Sequence, residues 1–172
     1  MKLAVAESPY DARAAHCFGR ELRNQGRHHE AIAEFERYLK LTPSNPEERS
    51  KSQRLLAMSQ LSVGNHQTAL SWFRRAVDEA PQLQGAWIDL ACALYQQKDW
   101  RGCLDACVMA IETPLVVMEY GAYSDSGAMP EDMASVCAFR MGRQLEAVEF
   151  ARHAVQLAPG VQRLKANFAA ME

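Results

Sequence analysis

Apolar residues recur along this chain at spacings of three and four, in paired stretches separated by short polar turns. That is the period of one helical face, and no stretch shows the strict alternation of a half-buried strand. Four stretches align: GRHHEAIAEFERYLKLTP (26–43), GNHQTALSWFRRAVDEAP (64–81), KDWRGCLDACVMAIETP (98–114) and GRQLEAVEFARHAVQLAP (142–159). Each opens on a turn, followed by a small residue (Ala31, Ala69, Cys103 or Ala147) and, four positions later, by Phe35, Phe73, Cys107 or Ala151. A spacing of four puts both members on one face. Before each turn runs a second amphipathic stretch, in which Phe18-Gly19, Leu56-Ala57, Leu90-Ala91 and Ala134-Ser135 set a small residue where paired helices approach closely. Gly26, Gly64 and Gly142 suit helix-ending turns that need positive φ, and the closing prolines sit where a helix must stop. The pattern predicts an all-α chain of repeated helical hairpins.

The period also sets boundaries. Pro9 lies 34 residues before Pro43, so residues 1–9 read as the end of the second helix of an earlier, truncated unit. Four units follow, at 12–45, 46–83, 84–115 and 128–160, within a single domain spanning 1–172. Residues 116–127 form an insertion, and 161–172, VQRLKANFAAME, read as a lone first helix that acts as a solvating cap. The insertion carries two readings: a functional loop, or side chains such as Val116, Val117 and Tyr120 plugging a gap between hairpins.

Trp87, Leu90, Ala91 and Trp100 in the third unit, with Phe18, Gly19, Gly26, Ala31, Phe35 and Pro43 in the first, resemble the tetratricopeptide repeat (TPR) family. The fold this resemblance implies is a right-handed α-solenoid of helix–turn–helix hairpins. The motifs PYDARAAHCFGREL, PEERSKSQRLLA, AWIDLACALYQQKDWRGC and PEDMASVCAFRMGRQLEAVEFARHAVQLAP, in this order and with these insertions, further resemble the TPR region that follows the catalytic domain of bacterial and phage family 2 glycosyltransferases. The tryptophan common after the aspartate around PEDM in that group is missing. What this second resemblance implies is an accessory region: sugar transfer resides in an upstream α/β domain, and these 172 residues hold neither a DxD stretch nor a glycine-rich phosphate loop. The chain itself is therefore expected to be non-catalytic, with no cofactor. A stand-alone TPR adaptor unconnected with glycosyl transfer is the alternative.

Charge adds an asymmetry. Residues 1–75 carry 12 Lys/Arg against 8 Asp/Glu, and residues 76–172 carry 7 against 13. A basic half and an acidic half can steer a partner, but there is no clustered basic footprint of a nucleic-acid binder. No apolar run approaches the ~18 residues of a membrane span, and the start lacks a secretory signal. The five cysteines match no disulfide framework or CxxC zinc pair, so a reducing cytoplasm is the expected compartment. His28-His29-Glu30 has no fourth-position ligand to complete a metal site and reads as a polar turn opening a helix.

In TPR arrays one face of each first helix lines a concave groove. Mapped by the repeat, that face is Arg13, His16, Arg20, Arg23 and Asn24 in the first unit, and Lys51, Arg54, Met58 and Leu61 in the second. It continues through Ile88, Cys92 and Tyr95 in the third and Asp132, Val136 and Phe139 in the fourth. Such a groove, basic first and apolar later, complements a protein or peptide segment with acidic residues at one end and apolar anchors. The other candidate occupants are the parent chain's own catalytic domain and a second copy of the chain. The bland reading of the same residues is a solvated arginine face.

Overall fold

The structure is a computed structural model, described over residues 11–41, 45–114 and 127–171. Pro9, Pro43, the end of the earlier, truncated unit (1–9) and most of the insertion (116–126) lie outside these residues. The described residues form helices and turns with no strand. They are α1 (Ala12–Asn24), α2 (His28–Lys40), α3 (Pro46–Ser62), α4 (His66–Glu79), α5 (Gln84–Gln96), α6 (Trp100–Glu112), α7 (Met129–Arg140), α8 (Gln144–Leu157) and α9 (Gln162–Met171). The fold is of the all-α solenoid class. The chain divides into two compact units, Met1–Pro81 and Gln82–Glu172. None of the helices is long and apolar enough to cross a membrane.

Local chemistry sets the helix ends. Asp11 caps α1 by accepting from the Ala14 N–H at 3.1 Å, and Asn45 caps α3 by accepting from Glu47 N–H at 2.9 Å. A side-chain oxygen at this position satisfies a donor that has no partner within the helix. Each hairpin turn repeats one pair of backbone bonds. In the first, Arg27 N–H reaches Leu22 O at 2.9 Å and Gly26 N–H reaches Arg23 O at 2.9 Å. The same pair recurs with Asn65 and Gly64, Asp99 and Lys98, and Arg143 and Gly142. This is a Schellman closure, whose pivotal residue must take positive φ. The φ values are +74° at Gly26, +83° at Gly64 and +75° at Gly142, as the sequence predicts, but the third turn places Lys98 at +59°.

In the first unit α1 packs on α2 and α3 on α4, with α2 also against α3. Leu22, Ala31, Phe35 and Leu56 form its core, flanked by Phe18, Ile32, Leu39, Leu55 and Trp72. Gly19 is where the helices come closest: a Cβ there would stand 2.9 Å from the Phe35 ring. The hairpin α3–α4 is also tied by Ser50 Oγ donating to Ala76 O at 2.8 Å.

In the second unit α5 packs on α6, α7 on α6 and α8, and α9 on α8. The sequence-predicted pairs Cys103/Cys107 and Ala147/Ala151 are buried, joined by Ala134, Cys137 and Ala138. Small side chains dominate here, so these helices pack with few large knobs between them. Gln84 ties α5 to α6 by donating to Ala110 O at 2.8 Å, at the position that Ser50 holds in the first unit.

Candidate functional site

The first helices of successive hairpins meet within each unit, and the sequence-predicted face lies along them. In the first unit α1 and α3 are joined by His16 Nδ1 and Ser52 Oγ at 2.7 Å, and by Arg23, which donates to Met58 Sδ at 3.4 Å. The Ser52 hydroxyl also lies 3.0 Å from Glu48 O, a backbone acceptor one turn back on α3. Arg13 and Arg20 are exposed, and Arg23, Lys51, Met58 and Leu61 are half-buried. Arg54 is only 9% exposed, so little of it is open to a partner. Burial, and then the Arg20 guanidinium, hold the His16 imidazole below its ordinary pKa, with Glu48 opposing and Lys51 adding to the effect. The cations therefore act together on the histidine between them.

In the second unit α5, α7 and α9 enclose a concavity of about 540 Å³. It brings together Cys92, Tyr95, Asp132 and Val136 from the predicted face, and adds Gln96, Met129, Met133, Arg163 and Asn167. Cys92 Sγ lies 3.9 Å from Met133 Sδ, bridging α5 and α7. Asp132 is 7% exposed, and both of its oxygens are engaged: Oδ1 accepts from Asn167 Nδ2 at 2.9 Å and Oδ2 from Arg163. Its charge therefore holds α9 in place. Tyr95 (36% exposed), in the lining, meets Trp100 edge-on with centroids 5.4 Å apart; Phe139, which does not line the concavity, is 42% exposed. Tyr95 and Phe139 occupy equivalent positions, each three residues before the positive-φ residue of its turn. Ile88, predicted on this face, is buried at 6% exposure.

Met129 and Met133 were legible in principle, because their spacing to Asp132 and Val136 keeps them on one side of α7. Arg163 and Asn167 were not, since nothing local marks a terminal helix as part of a lining. The other candidate chemistry resolves into packing. Burial pushes the Cys92 thiol up to about 11. The hydrogen-bonded contact between Cys103 and Cys137, with burial, pushes the Cys137 thiol up further, and Cys103 is raised as well, chiefly by Cys107. Thiols so raised stay protonated near neutral pH and are poor nucleophiles. Among the described residues no three His, Cys, Asp or Glu side chains converge on a metal-sized site. Glu30, next to His28 and His29, is paired with Arg27.

Paired helices, Schellman turns and faces formed by successive first helices define a helical-repeat scaffold. More narrowly, the tetratricopeptide repeat family matches residues 18–83, and the fold is that of TPR proteins. Among solved structures, MamA is 18% identical with a TM-score of 0.76, over 93% of this chain and 80% of that one. YrrB, described as a TPR protein with an unusual peptide-binding site, is 15% identical with a TM-score of 0.78, over 99% and 80%. PilF of Pseudomonas aeruginosa is 17% identical with a TM-score of 0.73, over 98% and 70%. None of the curated proteins matches the sequence at a significant level.

Proposed function

We propose that the chain is a non-catalytic protein-interaction scaffold whose first-helix faces hold segments of partner proteins. The observation that carries this reading is the concavity of the second unit. Cys92, Tyr95, Met129, Met133 and Val136 of α5 and α7 give about 540 Å³ of open space an apolar wall, and the one carboxylate in its lining, Asp132, is already satisfied by Arg163 and Asn167. A pocket of this size with an apolar wall takes one or two apolar side chains of a peptide. In the first unit Arg13, Arg20, Arg23 and Lys51 form a cationic face that favours acidic residues. The peptide-binding site ascribed to YrrB lends support.

At finer grain, we infer that the chain is the accessory region of a family 2 glycosyltransferase, working in the cytoplasm and presenting an acceptor protein to a catalytic domain. The ordered motifs from PYDARAAHCFGREL to RLKANFA support this reading. The stand-alone adaptor remains its alternative. Sequencing the gene on the 5′ side of the Met1 codon separates them. A continuous frame encoding an α/β domain with a DxD motif supports the first; a stop codon with a ribosome-binding site supports the second.

The binding claim is tested by selecting peptides from a random display library against the full chain. Apolar-anchored peptides are expected to lose at least tenfold in affinity on Val136→Asp, and acidic ones a similar amount on Arg20→Glu. Selection of no peptide, or binding indifferent to both substitutions, overturns the claim.

A further inference from the structure

The first unit has a second concavity, on a different side of α3. Arg49 and Gln53 leave that helix roughly 200° around from Lys51, at 100° per residue, so they face away from the cationic surface. With Leu39 of α2 and Trp72, Arg75, Asp78 and Glu79 of α4, they line a cleft of about 510 Å³, in which two carboxylates accompany two guanidinium groups. Gln53 is 5% exposed; its Nε2 donates to Glu79 at 3.4 Å, and its Oε1 has no hydrogen-bond partner. One helical turn away, Arg49 spends one terminal nitrogen on Glu79 at 3.1 Å, while its Nε–H is also without a partner. A buried acceptor and a buried donor thus belong to two side chains that line one cleft, each without a hydrogen-bond partner. Such groups carry a desolvation cost that a suitable ligand would relieve. Beside them the Arg75 guanidinium lies 4.6 Å over the Trp72 ring and makes no ion pair among the described residues.

We propose that this cleft is a docking site for an extended acidic–apolar dipeptide within a partner protein. A peptide backbone offers a donor and an acceptor together: its N–H meets Gln53 Oε1 and its C=O meets the Arg49 Nε–H, after a rotamer adjustment that turns both toward the cleft. The acidic side chain pairs with Arg75, the cation left without a carboxylate. The apolar side chain lies on Leu39 and on the part of the Trp72 ring that the Arg75 guanidinium leaves uncovered. This site is independent of the first-helix faces and stands whether or not they bind.

The test is to titrate N-acetyl-Asp-Leu-amide into the isotopically labelled full chain. The Arg49 Nε–H, the Gln53 side-chain amide and the Trp72 indole N–H are followed by NMR. Saturable shifts of all three are expected, weakened at least fivefold by Gln53→Leu and by Arg75→Ala, and unchanged by Arg20→Glu. N-acetyl-Lys-Leu-amide should bind at least fivefold more weakly. Arg75 is exposed, so its replacement leaves the fold intact, and Gln53→Leu keeps the volume of the side chain. Shifts that never saturate, equal affinity for the lysine probe, or indifference to both substitutions overturn the site.

Discussion

Lys98 holds φ at +59° in a turn where three sister turns use glycine at +74° to +83°. A side chain in the left-handed region costs about 1–2 kcal/mol, partly offset because glycine loses more freedom on folding. Lys98→Gly should therefore stabilise the chain by about 0.5–1 kcal/mol in urea unfolding, whereas a destabilisation would mean that the lysine makes a contact outweighing its strain. Gly19 is the opposite case. A Cβ there would stand 2.9 Å from the ring of Phe35, which is fully buried. Gly19→Ala gains helix propensity of about 1 kcal/mol but overpacks the hairpin at a cost of about 1–3 kcal/mol. A net loss of stability is expected, and a gain would show that the ring can yield. The glycine turns and the close approach at Gly19 were legible because glycine is the residue that suits each place without strain or overlap. Lys98 was not: its identity favours no such backbone, and only its register with Gly26, Gly64 and Gly142 betrays it.

At the scale of elements, α7 carries more polar burial than any pattern announced. Glu131, in its first turn, is 5% exposed, with one carboxylate oxygen lacking a partner and the other 3.8 Å from His153 Nδ1 on α8. Burial raises its pKa, and the helix-start N–H and His153 offset this only in part. Below the ordinary carboxyl range both folded and unfolded states are protonated and nothing is lost. As pH rises the unfolded state releases its proton first, so stability falls until the raised folded pKa is passed. Glu131→Gln should therefore raise the melting temperature at pH 7 by a few degrees, with the gain vanishing below about pH 4. A gain that persists at pH 3 would point to something other than ionisation. Helix positions and apolar stripes were readable from period alone, since burial of one face selects them. The pairing of Asp132 with Arg163 and Asn167 was not, because it joins residues far apart in sequence through contacts that periodicity does not encode.

For the molecule as a whole, the repeat gave the architecture away: each hairpin buries its apolar stripe against neighbours in its unit, so the pattern must recur with the period. The candidate surfaces were only partly legible. Register placed Arg13, Arg20, Lys51, Tyr95 and Val136 on first-helix faces, yet could not tell that Arg54 and Ile88 are buried while Met129 and Met133 line open space. The basic first half and acidic second half carry over as well. Acidic peptides held by the first unit should weaken steeply with salt, whereas apolar anchors in the second unit should not. The most direct test of recognition by first-helix faces is to follow ¹³C-methyl methionine signals while titrating an apolar-anchored peptide from the display selection. Met129 and Met133 should shift and saturate together, with Met109, exposed on α6, unmoved. Shifts confined to Met109, with Met129 and Met133 unchanged, would contradict the account.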